Sequence, residues 1–219
     1  MRSRANPVVA AMLGRDVLRT QSCERPLKRI VTGLQTLDDA LGGGLPLGAM
    51  TEISGRGSAG RVTLALGVLA EHSVGNRVAW IDGADGFDVA SAEASGVVLS
   101  NFLWVRSHEG RKLKRSLAAA DILLDSGDFT VIVLDIVAGT RRWQGSRPAW
   151  WVRLGRKVAQ AEAALLVLAE QGEVFGPSLR LACQLKACSG VEQLEVDFRW
   201  RRGACGSVEE PLIVLPPVR

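Results

Sequence analysis

The stretch Met50-Thr51-Glu52-Ile53-Ser54-Gly55-Arg56-Gly57-Ser58-Ala59-Gly60-Arg61-Val62-Thr63 decides how the rest of the chain is read. Residues 50–54 read as a strand, the glycines make a turn, and an apolar helix is predicted over about 60–71. Strand, glycine turn and helix form the context in which backbone N–H groups and a helix N-terminus cradle an anion. The phosphate-loop pattern is GxxxxGK[ST]. This chain supplies GxxxxG from Gly55 to Gly60, followed by Arg61 and Val62. With 24 glycines in the chain, that spacing alone is weak evidence, and its surroundings must carry the reading.

Working outward, residues 36–41 predict a short helix stopped by Gly42-Gly43-Gly44. Beyond the loop, strands at 77–82, 102–106, 129–135 and 164–169 alternate with helices at about 88–95, 111–126 and 150–162. Two late strands follow near 179–187 and 192–201 with no helix between them. The alternation predicts an α/β fold with a mostly parallel, twisted sheet and helices on both faces. The last two strands predict an antiparallel edge hairpin. On the other side, Asn6 can cap and Pro7 can start a helix over 7–19. The expected organisation is an N-terminal helix and polar linker (1–29), a core (30–202) and a C-terminal tail (203–219).

Composition narrows the functional classes. The 219 residues are 47% hydrophobic and 23% charged, as expected of a globular chain with a sizeable core. No apolar run approaches the roughly 20 residues that span a bilayer. The basic N-terminus is interrupted by Gly14, Arg15 and Asp16, which argues against a secretory leader. Cys23, Cys183, Cys188 and Cys205 lack CxxC spacing, so reduced thiols rather than a metal site are expected. A net charge of +4 permits nucleic-acid binding without demanding it.

Thr32-Gly33-Leu34-Gln35-Thr36-Leu37-Asp38-Asp39-Ala40-Leu41-Gly42-Gly43-Gly44-Leu45-Pro46-Leu47-Gly48, with the strand and loop behind it, resembles the ATP-binding core of RecA recombinases. The likeness continues through Trp80-Ile81-Asp82, Leu134-Asp135 and the strand at 164–169, covering about residues 29–202. It implies a RecA-like core and a nucleotide site at Gly55, Gly60, Arg61 and Asp135. Hydrolysis in that family uses a loop lysine, a hydroxyl that ligates Mg²⁺, an acid after the next strand and a strand-end aspartate. Here those positions hold Arg61, Val62, Ala84 and Asp135. An isopropyl group cannot ligate a hard cation. Asp85 is a neighbour that could replace the missing acid. These departures lead to the expectation of a degenerate pseudo-ATPase that is not an enzyme, with no catalytic or metal residues and no cofactor. Residual ATP or anion binding is the alternative to an empty loop.

The resemblance also implies two DNA-lining loops. The second is short here, since Gln171–Pro177 leads almost directly into the next strand. The first region carries Arg141, Arg142, Trp143, Arg147, Trp150, Trp151, Arg153, Arg156 and Lys157 without an acid. Arginine on phosphates with tryptophan on bases is how sequence-blind single-strand binding works. The same residues favour a protein interface, and a tryptophan in the core with a solvated face is the third reading.

Within the RecA-like group, Gly-Gly-Gly-Leu-Pro, Thr-Glu-Ile and the Gly-Arg loop are most similar to the ImuA family of mutagenesis accessory proteins. That resemblance implies cytoplasmic action in the SOS response, at the nucleoid on DNA damage. Implied partners are an ImuB-like inactive Y-family polymerase, a DnaE-type error-prone polymerase and RecA. An active RecA/KaiC-like ATPase using Arg61 and Asp85 is one rival, and a SulA-type cell-division inhibitor is another. The apolar stripe Val9, Met12, Leu13 and Val17 is the expected docking face, for RecA or for a second copy of the chain.

Overall fold

The computed structural model describes residues 28–106, 112–136, 148–170, 174, 176–188, 191–200 and 212–214. The motif from Thr32 to Gly48 folds as a clasp that precedes the glycine turn in the chain. Strand β1 (Arg29–Ile30) pairs antiparallel with β2 (Leu45–Pro46), and helix α1 (Gln35–Leu41) lies between them. Buried Asp38 accepts the Thr32 N–H at 2.8 Å, tying the helix to the strand before it. The helix ends where Gly42 enters the left-handed region at φ 72°. There the Gly43 N–H donates to the Asp38 carbonyl at 2.7 Å. A Cβ at Gly44 would collide with the Ile30 carbonyl oxygen, so the third glycine lets the two strands approach.

The remaining elements follow in the order expected of an α/β chain. They are β3 (Ala49–Ser54), α2 (Arg61–Ser73), β4 (Arg77–Asp82), α3 (Val89–Ala94), a 3₁₀ turn (Leu99–Asn101) and β5 (Phe102–Arg106). Then come α4 (Lys112–Ser126), β6 (Phe129–Asp135), α5 (Pro148–Ala161), β7 (Ala164–Ala169), β8 (Leu179–Cys188), β9 (Val191–Trp200) and β10 (Leu212–Val214). The main sheet has the order β10-β9-β8-β3-β7-β6-β4-β5. Its six strands from β8 to β5 are parallel, while β9 and β10 add antiparallel at one edge. The fold is thus the mostly parallel α/β core expected of a RecA-like chain.

Alternating residues of the central strands feed two cores. Ile53, Val131, Val133, Leu166 and Leu168 pack with α1, α2 and α3 through Leu37, Leu64, Val68, Leu69 and Ala92. Met50, Ile132, Leu134, Leu165 and Val167 pack with α4 and α5 through Leu124, Trp151, Leu154 and Val158. Strands covered on both faces need continuous apolar runs, which explains Val131–Leu134 and Leu165–Leu168. Each such side chain contributes about 1.5–3 kcal/mol by leaving water.

Two boundaries differ from expectation. Helix α5 begins at Pro148 rather than near 150, because proline suits a first helical position. Residues 212–214, expected within a tail, extend the sheet as β10. The predicted helix at 7–19 lies outside the described residues. Among the described residues no helix is long and apolar enough to cross a membrane.

Candidate functional site

The glycine turn leaves the sheet at a point set by strand register. Ser54, the last residue of β3, stands opposite Ala169 of β7 on one side and Ala182 of β8 on the other. The loop therefore emerges over the carboxyl ends of parallel strands, where open α/β sheets hold their ligands. It borders an open cleft of about 660 Å³ lined by Arg56, Ser58, Glu170, Cys183 and Gln184, among others. A Cβ on Gly55 would sit 2.6 Å from the Cys183 carbonyl oxygen and 2.8 Å from the Ala59 Cβ. Glycine is thus required there for the loop to lie against β8. Gly60, at φ 86°, turns the chain into α2 and offers no capping side chain, so the helix starts with uncapped N–H groups.

Arg61 is the first residue of α2 and is only 6% exposed. Among the described residues its buried Nε and Nη1 find no hydrogen-bond partner. Burial pushes the Cys183 thiol up to about 12, and the Arg61 charge acts against that rise. Cys183 in turn lines the cleft. Next to this cation, Val62 is 42% exposed and offers no oxygen. Thr63 is exposed one residue further round the helix.

The strand-end acids occupy the neighbouring edge. Asp82 and Asp135 are opposite each other on β4 and β6, and both are buried. Asp82 accepts the Gly86 and Phe87 N–H groups at 3.2 and 3.3 Å, closing the 83–87 turn. Ala84 lies within that turn and carries no carboxylate. Asp85, at φ 57°, holds Arg106 at 2.8 Å, and Arg106 lies over the Trp104 ring at 4.8 Å.

The second candidate surface divides. Trp151 is 1% exposed and belongs to the core, while Trp150 is 39% exposed. Arg153 pairs with Asp121 at 2.8 Å, and Lys157 pairs with Asp121 at 3.0 Å and Asp125 at 2.6 Å. Those carboxylates hold the Lys157 ammonium above its usual range. They come from α4, so the local sequence of α5 could not reveal them. Arg156 is exposed. Arg141, Arg142, Trp143 and Arg147 lie outside the described residues, as do Val9, Met12, Leu13 and Val17.

Sequence reasoning brought Gly55, Gly60 and Arg61 together at one turn, with Asp135 on a strand end two places away across the sheet. It missed Glu170, Cys183 and Arg56 as cleft residues. Arg56 was visible as the second residue of the loop. Glu170 and Cys183 arrive through strand order, which no local pattern encodes.

A mostly parallel α/β core with a glycine turn at its carboxyl edge places the chain in the class of RecA-like folds. A family model described as the RecA N-terminal domain matches residues 10–142, and the chain belongs to that family. It is 46% identical over 111 residues to Protein RecA of Desulfotalea psychrophila, covering 50% of this chain and 30% of that protein. It is 40% identical over 117 residues to Protein RecA of Azoarcus sp., covering 52% and 33%. For Protein RecA of Crocosphaera subtropica the figures are 39% over 113 residues, 51% and 32%. The chain spans about a third of the length of these curated relatives.

This kinship overturns one expectation. The departures at Val62 and Ala84 argued that the chain is not an enzyme. The matched region contains the whole glycine turn and belongs to the family for which the resemblance implied ATP hydrolysis. Two altered positions, read one residue at a time, do not outweigh 39–46% identity to RecA proteins over half the chain.

Proposed function

We propose that the chain is a RecA-type ATPase core of bacterial DNA repair that holds nucleotide phosphates at the 55–61 turn. The observation that supports this most is the Arg61 guanidinium, buried beside the turn with two nitrogens unpartnered. A buried donor without an acceptor costs about 1–3 kcal/mol, more when charged. Phosphate oxygens would supply the charged acceptors that these N–H groups lack. The open helix N-terminus adds N–H donors and a favourable dipole.

Phosphoryl transfer is catalysed mainly by positioning and charge stabilisation. Arg61 and Arg56 would supply the charge. Glu170 lines the cleft, and we assign to it the orientation of a water, in the role Ala84 cannot fill. Steady-state ATP turnover, with and without single-stranded DNA, tests the reading. Turnover on the order of 1 s⁻¹ or slower, lost in Arg61→Ala and reduced in Glu170→Gln, is expected. Background rates under every condition would refute the ATPase reading.

A second reading concerns how such a core is used. Exposed Trp150 and Arg156 on α5 favour a protein-facing surface, since tryptophan and arginine dominate interface hot spots. In this reading the chain serves SOS mutagenesis of the ImuA type, beside an ImuB-like polymerase homologue, a DnaE-type error-prone polymerase and RecA. Pulldown with these purified partners tests it, and Trp150→Ala should weaken the complex by roughly 2 kcal/mol.

A further inference from the structure

We propose that the 55–61 turn binds nucleoside phosphates without a divalent cation, with Arg61 taking over the charge that a metal ion would share. The inference rests on the nucleotide reading of that turn and asks what kind of phosphate site it is.

The position after the loop cation does not fit the hydroxyl that anchors a Mg²⁺ to such a loop. Such an ion needs oxygen ligands in near-octahedral array. Val62, at the position that follows the loop cation, is hydrocarbon and reaches solvent. Thr63 is one residue on, and a helical step of about 100° aims its hydroxyl elsewhere. The Ser54 hydroxyl donates to the Leu181 carbonyl of β8 at 3.2 Å, which turns it toward that strand.

The positive charge, in contrast, is already built into the protein. Among the described residues Arg61 is buried with Nε and Nη1 unpartnered, and Arg56 lines the cleft from the exposed part of the turn. Glu170 lines the cleft as well. An anion entering this cleft finds fork-shaped donors rather than an ion to coordinate. Any metal would then come only on the nucleotide's own oxygens, and its removal would leave the protein's contacts intact.

The test is ATP binding to the full chain by calorimetry, in excess magnesium and in EDTA. Wild-type affinities within about twofold of each other are expected, because the metal couples to no protein group. Val62→Thr, a change at an exposed position, should introduce coupling, with ATP binding at least about fivefold tighter in magnesium than in EDTA. Arg61→Ala, checked for fold by circular dichroism, should weaken ATP about 100-fold in both buffers. Wild-type binding that is about tenfold or more tighter in magnesium would overturn the metal-free assignment while leaving the nucleotide reading intact. Absence of ATP binding in both buffers, by a folded wild-type chain, would overturn the nucleotide reading itself. Unchanged affinity in Arg61→Ala would remove Arg61 from the site and the inference with it.

Discussion

The two arginine-bearing regions of the molecule differ in what surrounds the charge. On α5, Arg153 and Lys157 meet Asp121 and Asp125 of α4 within 3.0 Å, so that face is already neutralised within the chain. At the start of α2, Arg61 is more deeply buried and has no protein acceptor at two nitrogens. A surface pair of this kind contributes little to stability, whereas an uncompensated buried cation opposes it. The cation worth following to a ligand is therefore the one with the poorest set of internal partners. Residue type alone would have favoured α5, where cations and tryptophans are denser.

Substitutions can break this comparison. The largest effect is expected within α5 itself: Trp151→Ala should cost about 3–5 kcal/mol in denaturant unfolding, since it empties the core. Trp150→Ala should leave stability within about 0.5 kcal/mol, as a surface change does. Equal losses at both positions would mean that α5 is packed otherwise.

Arg61→Met sharpens the contrast from the other side. Replacing a buried, unpartnered cation with an apolar chain of similar length should stabilise the ligand-free protein by about 1–3 kcal/mol. ATP binding should disappear in the same variant. A destabilised Arg61→Met protein would show that the guanidinium is held by partners within the chain.

Cys183 tests the interior of the same site. Its thiol is raised to about 12 by burial, so the folded state favours the protonated form. Unfolding returns the thiol toward its ordinary 9.0, so this contribution is complete below pH 9. It is lost as pH rises toward 12. Alkylation at pH 8 should be at least about tenfold slower in the folded chain than in urea, because the thiolate is the nucleophile. Rapid labelling of the folded chain would place the thiol in a more open setting than the one described.

The smallest effects belong to the paired face. Arg153→Ala should change stability by no more than about 1 kcal/mol and less in high salt. If α5 meets single-stranded DNA, unpaired Arg156 should carry a salt slope of about 0.7 and Arg153 close to none. Equal slopes would show that the α4 acids release their partners on binding.

The parallel strands were legible because burial on both faces forces continuous apolar runs such as Val131–Leu134. The glycine turn was legible because Gly55 and Gly60 answer local demands, a close approach and a left-handed turn, that few other residues meet. What those residues face was not legible. Asp121 reaches Arg153 across 32 residues, and Glu170 and Cys183 reach the turn because β7 and β8 flank β3. Chain connectivity and periodicity are local, so the sequence by itself determined the α/β core and the glycine turn. Which cations are neutralised and which one remains buried and unpaired depends on strand order and helix packing. Only the tertiary structure decided that, because charge pairing acts over a few ångströms of space whatever the distance along the chain.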